Sequence, residues 1–202
     1  MHLPTLLACM MLITAQCPAA ATETIVMIRH AEKPDGGLGQ LSCQGLNRAL
    51  ALPDVLLGKF GSPSAIFAPN PGIAKNDQGH EYNYIRPLAT IEPTAIRLGL
   101  PVNTKWGFEE IDHLKKALLH PKLQDATVFV AWEHRLLEKA ARELVEKLGG
   151  DPTEVPNWGG YDFDSIYIIR ISENSDGKRT VSFSTDRQNL DHQPSTCPGQ
   201  MP

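Results

Sequence analysis

The amino-acid sequence predicts a layered α/β fold with a mostly parallel sheet. Short runs of β-branched and other apolar residues, typical of buried strands, alternate along the chain with longer segments of helical periodicity. The chain has 202 residues, which suits one domain with a core of its own. Its composition, 42% hydrophobic and 21% charged, is that of an ordinary globular protein and excludes disordered, collagen-like and coiled-coil chains.

Residues 1–21 are predicted to be a signal peptide, followed by a single domain at 22–202. No Asp, Glu, Lys or Arg precedes Glu23, and residues 6–15 form an apolar run about half as long as a membrane-spanning helix. Three alanines at 19–21 supply the small residues of a cleavage site. We therefore expect an exported protein, periplasmic or extracellular, with no stable membrane span once the signal is removed. The alternative is a buried N-terminal helix, since no Lys or Arg precedes the apolar run.

Two of the four cysteines, Cys43 and Cys197, remain after cleavage near Ala21. An even number of cysteines in an exported protein favours a disulfide, which here would attach the polar, proline-rich C-terminal tail to the body of the domain. The alternative is two unrelated thiols.

The first half of the chain alternates strands with helices. The predicted elements are a strand at 25–28, a helix at 43–57 that Pro53 disturbs, a strand at 65–68, and a helix that Thr90 caps and Gly99 ends. Residues 69–84 show no periodicity and are predicted to form a loop.

The second half continues the alternation. Its predicted elements are a helix with an apolar face from Phe108 to Leu118, a strand at 127–132, an amphipathic helix with an apolar stripe from Leu136 to Leu148, a loop at 151–164, and a hairpin of strands 165–171 and 180–184. Ser175, Asp176 and Gly177 are predicted to form the hairpin turn.

Two histidines directly follow predicted strands. His30 comes after the first strand and Arg29, and His134 comes shortly after the strand at 127–132. The carboxyl ends of parallel strands share one sheet edge, which is where open α/β sheets bind ligands. Arg29 and Arg86 carry planar, permanently charged guanidinium groups that suit phosphate oxygens. These four side chains predict a cationic pocket for a phosphoryl group, with a surface ion pair as the alternative for Arg86.

Four segments of the sequence carry a resemblance to a known family. They are Ile25-Val26-Met27-Ile28-Arg29-His30-Ala31-Glu32-Lys33-Pro34, Leu41-Ser42-Cys43-Gln44-Gly45-Leu46-Asn47-Arg48-Ala49, Arg86-Pro87-Leu88-Ala89-Thr90 with Pro93-Thr94-Ala95, and Trp132-Glu133-His134. In this order they resemble the motifs of the histidine phosphatase superfamily, the phosphoglycerate-mutase-like proteins, and especially its small bacterial exported members. The resemblance covers residues 24–171 and implies a three-layer α/β/α sandwich.

The resemblance also implies a mechanism without a metal ion or other cofactor. His30 would attack phosphorus and form a phosphohistidine, while Arg29, Arg86 and His134 would hold the phosphoryl oxygens. A carboxylic acid would protonate the leaving oxygen. Glu109 is the preferred candidate because it lies near the start of a predicted helix, and the alternatives are Glu110, Asp112, Glu133 and Glu32.

Two features depart from the family pattern. Arg135 follows His134 where many members have Gly, and the usual Ser-Pro-Leu before the second arginine is replaced by Ala68-Pro69-Asn70 and a long insertion. The insertion and the loop at 151–164 are expected to line the entrance of the site. Four aromatic residues in these loops either contact a ligand there or cover the core: Tyr82, Tyr84, Trp158 and Tyr161.

The predicted function is hydrolysis of a small-molecule or peptide phosphomonoester. The alternative is a catalytically degenerate module on the same fold that binds phosphate or a phosphoprotein. A metal-dependent hydrolase is disfavoured because no HExxH or paired CxxC motif occurs. A nucleic-acid partner is disfavoured because the formal charge is −4 and aromatic residues make up only 6% of the chain.

Overall fold

The protein is described from a computed structural model that covers residues 22–174 and 177–200. The predicted signal peptide lies outside the described residues, and so do Ser175 and Asp176 of the predicted hairpin turn.

A six-stranded sheet forms the centre of the fold. In chain order the strands are β1 (Thr22–Arg29), β2 (Ala65–Phe67), β3 (Ala74–Asp77), β4 (His80–Asn83), β5 (Val102–Asn103), β6 (Thr127–Trp132), β7 (Ser165–Glu173) and β8 (Arg179–Arg187). The order in the sheet is β5-β2-β6-β1-β7-β8, and β3 and β4 pair separately. The first four strands of that order run parallel to one another. β7 pairs antiparallel with β1, and β8 pairs antiparallel with β7. The prediction of a mostly parallel sheet is confirmed.

Within the described residues, four helices cover both faces of this sheet. They are α1 (Cys43–Phe60), α2 (Arg86–Leu98), α3 (Ile111–Leu118) and α4 (His134–Lys147), with single 3₁₀ turns at Pro121–Leu123 and Pro152–Glu154. Val26 and Ile28 of β1 pack with residues of α1 and α2, and Ile25 and Met27 pack with residues of α3 and α4. Because alternate residues of a strand point to opposite faces, β1 is buried on both sides. This arrangement is the predicted three-layer sandwich. None of the helices in the described part of the chain is both long and apolar enough to cross a bilayer.

Two local predictions were wrong. The predicted loop at 69–84 contains the β3–β4 hairpin, whose two-residue turn is Gln78-Gly79 with positive φ angles of 54° and 91°. Such turns usually carry Asn-Gly or Asp-Gly, and the short flanking strands lack apolar alternation, so the sequence gives little sign of them. Thr90 does not cap α2, because that helix begins four residues earlier, at Arg86.

A disulfide joins Cys43, the first residue of α1, to Cys197 in the C-terminal tail. The Asn47 side chain also donates hydrogen bonds of 2.8 Å to the carbonyls of Pro194 and Thr196. The tail is therefore attached to the first turns of α1.

Glu23, at the amino end of β1, is expected to make stability depend on pH. Burial raises the pKa of Glu23 from 4.5 to about 7, against the opposing charge of Arg179. The folded protein therefore retains a proton that the unfolded chain releases, and the free energy of unfolding falls as pH rises from 4.5 to about 7. Glu23→Gln cannot ionise, so its free energy of unfolding should not show this fall. Above about pH 7 the variant should be more stable than the parent by up to ~3 kcal/mol.

Urea denaturation at pH 5, 6, 7 and 8 measures this effect. The matched control is Glu173→Gln, because Glu173 faces the same Arg179 at 3.8 Å but its side chain is 41% exposed, against 2% for Glu23. An equal fall in the Glu23→Gln variant and the parent would show that other groups cause it.

Candidate active site

The carboxyl ends of β1 and β6 bring the two predicted histidine motifs to one edge of the sheet. Arg29 lies opposite Trp132 in the parallel register, and the backbone N–H of His30 donates to the Trp132 carbonyl at 3.0 Å. Glu133 then caps α4, and His134 is the first residue of that helix. The tandem pairs Arg29-His30 and Glu133-His134 therefore emerge side by side.

His30 has the environment of a neutral nucleophile. Its side chain is only 3% exposed, and Nδ1 lies 2.8 Å from the Ala31 carbonyl oxygen. Because a carbonyl can only accept, Nδ1 is the donor, and the neutral ring then has its lone pair on Nε2. Burial and the positive charge of Arg86 hold the pKa of His30 well below its ordinary value of 6.5, and Arg29 adds to this effect.

The loop at 159–163 holds the Arg29 guanidinium in place. One terminal nitrogen donates to the carbonyls of Gly160 at 2.8 Å and Asp162 at 3.2 Å, and the guanidinium lies 3.9 Å from the centroid of the Phe163 ring. Burial lowers the pKa of Arg29 to about 10, so this residue stays charged at neutral pH. The Phe163 ring also lies 6.2 Å from the His30 ring.

Arg86 is held by the hairpin that the sequence did not predict. Its guanidinium forms a buried ion pair with Asp77 of β3 and donates to the Gly37 carbonyl at 3.2 Å. Burial opposes ionisation of Asp77, but the contact with Arg86 outweighs it and lowers the pKa of this carboxyl. The alternative reading of Arg86 as a surface ion pair was therefore wrong, because both partners are buried.

Thr90 connects α2, which begins at Arg86, to the segment 30–32 that follows β1, here called the histidine loop. Its hydroxyl donates to the Arg86 carbonyl at 2.8 Å and accepts from the Ala31 backbone N–H at 2.9 Å. The second motif contacts the same loop, because a Cβ at Gly45 would lie 2.2 Å from the Glu32 carbonyl oxygen. Only glycine allows α1 to approach the histidine loop this closely.

Tyr84, which follows β4, lies at the centre of the site. Its ring centroid is 5.9 Å from the His30 ring and 4.8 Å from the Arg86 guanidinium carbon. The side chain is fully buried, and burial raises the pKa of the phenol well above its ordinary range. Tyr84 is therefore a neutral donor here. Of the other aromatic residues considered, Trp158 is buried in the core and Tyr161 is fully exposed.

Glu133 and His134 lie side by side in the site. Nδ1 of His134 lies 2.9 Å from one carboxylate oxygen of Glu133, and the other oxygen accepts the Leu136 backbone N–H at 2.9 Å. Burial alone would raise the pKa of Glu133, but His134, Lys75 and the Leu136 hydrogen bond lower it to about 2. Glu133 is therefore an anion at neutral pH, which does not suit it to donate a proton.

The other candidate acids differ in how they are engaged. Glu32 is paired with the Arg48 guanidinium, and Glu110 accepts the Gly107 backbone N–H at 2.7 Å. Asp112 is exposed and lies 2.7 Å from Lys115. Glu109 is exposed, and its charge acts on Lys75, a hairpin lysine beside the site.

Three buried donors of this site have no hydrogen-bond partner within the described residues: Nε of Arg29, Nε of Arg86 and the Tyr84 hydroxyl. Nδ1 of His134 is close to Glu133 but is not aligned as a hydrogen bond. A buried donor without a partner costs ~1–3 kcal/mol, which a bound oxyanion would offset. In the described part of the chain, no three His, Cys, Asp or Glu side chains are grouped to hold a metal ion.

Asp77, Tyr84, Lys75 and Phe163 are the site residues that the sequence analysis did not single out. None of them belongs to the four sequence motifs, because three lie in the insertion and one lies in the loop at 151–164. Of these residues, the sequence analysis named only Tyr84, as one of four aromatic residues that either contact a ligand or cover the core.

The fold, but not the sequence, matches known proteins. No family model matches this chain, and no curated protein matches it. Two solved structures carry the description "putative phosphohistidine phosphatase SixA". The one from Nakamurella multipartitia is 14% identical with a TM-score of 0.53, and the match covers 83% of this chain and 96% of that one. The one from Agrobacterium tumefaciens is 10% identical with a TM-score of 0.46, covering 80% and 97%.

The similarity to the Nakamurella multipartitia protein extends over nearly the whole of that chain, although few residues are identical. It therefore agrees with the architecture implied by the motifs at His30, Arg86 and His134. The chain has the phosphoglycerate-mutase-like fold.

Proposed function

We propose that this protein is a phosphomonoesterase that passes the phosphoryl group through His30 to water, with no metal ion. One observation carries the proposal most strongly. The buried donors that lack partners in the described structure, on Arg29, Arg86 and Tyr84, belong to the residues around His30. A phosphoryl group would satisfy these donors and place phosphorus next to the imidazole.

The first chemical step is a displacement at phosphorus. The Nε2 lone pair of neutral His30 attacks, the P–N bond forms, and the bond from phosphorus to the leaving oxygen breaks. Arg29 and Arg86 balance charge on the phosphoryl oxygens, while the Tyr84 hydroxyl donates to one of them. The leaving oxygen takes a proton from an acid. Among the carboxylic acids, Glu109 remains the predicted donor.

The second step returns the enzyme to its starting state. Water attacks phosphorus, the P–N bond breaks, and inorganic phosphate leaves. The Nδ1 hydrogen bond to the Ala31 carbonyl keeps the ring oriented and keeps Nε2 as the reacting nitrogen in both steps.

The substrate proposal is a phosphomonoester of a small molecule or peptide. The name of the Nakamurella multipartitia relative adds phosphohistidine on a protein as a second substrate to test. Export to the periplasm or medium is also part of the proposal. It is supported by the Cys43–Cys197 disulfide, because such bonds persist in oxidising compartments.

The test is hydrolysis of nitrophenyl phosphate by residues 22–202, with and without exhaustive chelation. We expect many turnovers that chelation leaves unchanged, and a protein-bound phosphate after rapid quenching that is stable to base and labile to acid. Phosphate binding without turnover would instead support the degenerate binding module, and loss of activity on chelation would support a metal-dependent hydrolase.

A further inference from the structure

Lys75, the second residue of β3 in the inserted hairpin, lies beside the candidate site. Its ammonium lies 4.8 Å from the centroid of the Tyr84 ring and 4.7 Å from that of Phe108. Tyr84 is also the ring next to His30 and Arg86. One tyrosine ring therefore has the nucleophile, a phosphate-binding arginine and this lysine around it.

The charges around Lys75 come from four different elements. They are Glu133 at the start of α4, Arg86 of α2, Asp77 of the same hairpin strand, and Glu109 of the loop before α3. Burial lowers the pKa of Lys75, the carboxylates oppose this effect, and Arg86 adds to it. The net direction is downward, which makes the ammonium a better proton donor than a solvated lysine.

A proton donor has to lie on the side from which the leaving alcohol departs. In a displacement at phosphorus, the leaving oxygen lies opposite the attacking nitrogen. His30 is buried, whereas Lys75 is half-buried and opens toward solvent. The four carboxylates Glu32, Glu110, Asp112 and Glu133 are engaged in ion pairs or hydrogen bonds of their own.

We propose that Lys75 is the catalytic acid of the proposed phosphatase, in the role for which the family resemblance implies a carboxylic acid. This inference rests on the proposed function. As the bond from phosphorus to the leaving oxygen breaks, the ammonium gives that oxygen a proton, and the alcohol departs. The neutral amine then accepts a proton from water as the water oxygen attacks phosphorus, so Lys75 regains its charge and phosphate is released.

The test is a leaving-group series: nitrophenyl phosphate, phenyl phosphate and ethyl phosphate. Removing the acid matters most where the leaving oxygen is most basic. We expect Lys75→Met to lose about 10²–10⁴-fold in kcat/KM on ethyl phosphate and less than about tenfold on nitrophenyl phosphate. Lys75→Arg keeps the charge but holds its proton tightly, so it should show the same selective loss.

Two further variants make the result specific. Lys105→Met is the matched control, because Lys105 is an exposed lysine 5.7 Å from the Trp106 ring, outside the site, and it should behave as the parent. Glu109→Gln tests the alternative that the carboxylate of Glu109 is the proton donor. Thermal unfolding of each variant establishes that it is folded.

Each outcome decides the question. A loss of equal size for all three esters in Lys75→Met would show that Lys75 binds rather than protonates, and a selective loss in Glu109→Gln would assign the acid to Glu109; either result overturns the proposal. Turnover by the parent with unaltered dependence in Lys75→Met overturns this inference alone. No turnover of any ester by the parent overturns the proposed function and this inference together.

Discussion

Replacing His30 with Ala is expected to lower kcat/KM for nitrophenyl phosphate by at least about 10⁴-fold, the scale of loss when a covalent nucleophile is removed. The ring is buried, its Nδ1 proton is fixed by the Ala31 carbonyl, and its low pKa keeps it neutral. The bound phosphate that the parent yields on quenching should disappear as well.

The same variant should still bind inorganic phosphate, with an affinity within about tenfold of the parent, because Arg29, Arg86 and Tyr84 provide most of the donors. Isothermal titration measures this binding. The combination of lost turnover and retained binding separates a nucleophile from a residue that only shapes the pocket.

Two further variants are controls for misfolding. His30→Gln keeps a polar side chain of similar bulk, and it should be as inactive as His30→Ala. His113→Ala removes an exposed histidine of α3 and should keep full activity. Parent-level turnover in a folded His30→Ala protein would exclude the phosphohistidine mechanism.

The backbone of the candidate site was predictable because it depends on local patterns. A short apolar run followed by Arg29-His30, and another followed by Glu133-His134, place both histidines at strand ends. The parallel register then brings those ends together, which is a general property of such sheets. Sequence order and strand periodicity were sufficient for this inference, and no side-chain contact was needed.

The outer part of the site was not predictable, because long-range contacts create it. Asp77 meets Arg86 only because the Gln78-Gly79 turn folds the insertion back on itself. Lys75 and Tyr84 reach the site through the same hairpin, whose two strands are four residues each and mostly polar. Likewise, the sequence offered five candidate carboxylates and favoured Glu109 only for its position near a helix start, since their partners in space show which of them are engaged.

The largest stability effect is expected from Arg48→Met, at about 3–5 kcal/mol. Arg48 is 1% exposed and binds both carboxylate oxygens of Glu32 at 3.0 Å, Asp164 at 3.1 Å and Asp191 at 2.9 Å. It joins the histidine loop, the start of β7 and the C-terminal tail around one guanidinium. Methionine fills similar space but leaves the carboxylates of Glu32, Asp164 and Asp191 close together. Arg187, which pairs with Asp164 at 3.1 Å and Asp191 at 3.3 Å, is then the arginine that remains beside them, and a buried carboxylate that loses a charged partner is costly.

Urea denaturation measures this loss, and Arg48→Lys should recover part of it, because lysine restores the charge but not the fork of donors. Arg97→Met is the matched control. Its pair with Asp54 is exposed on both sides, so its loss should stay below about 1 kcal/mol. A loss of under about 1 kcal/mol in Arg48→Met would mean that Glu32 and Asp191, which are less buried than Asp164, move into water and that the three segments hold together without the arginine. The larger loss would instead mean that the second sequence motif acts through Arg48 to support the histidine loop, a structural role for a position that the motif alone does not distinguish from a catalytic one.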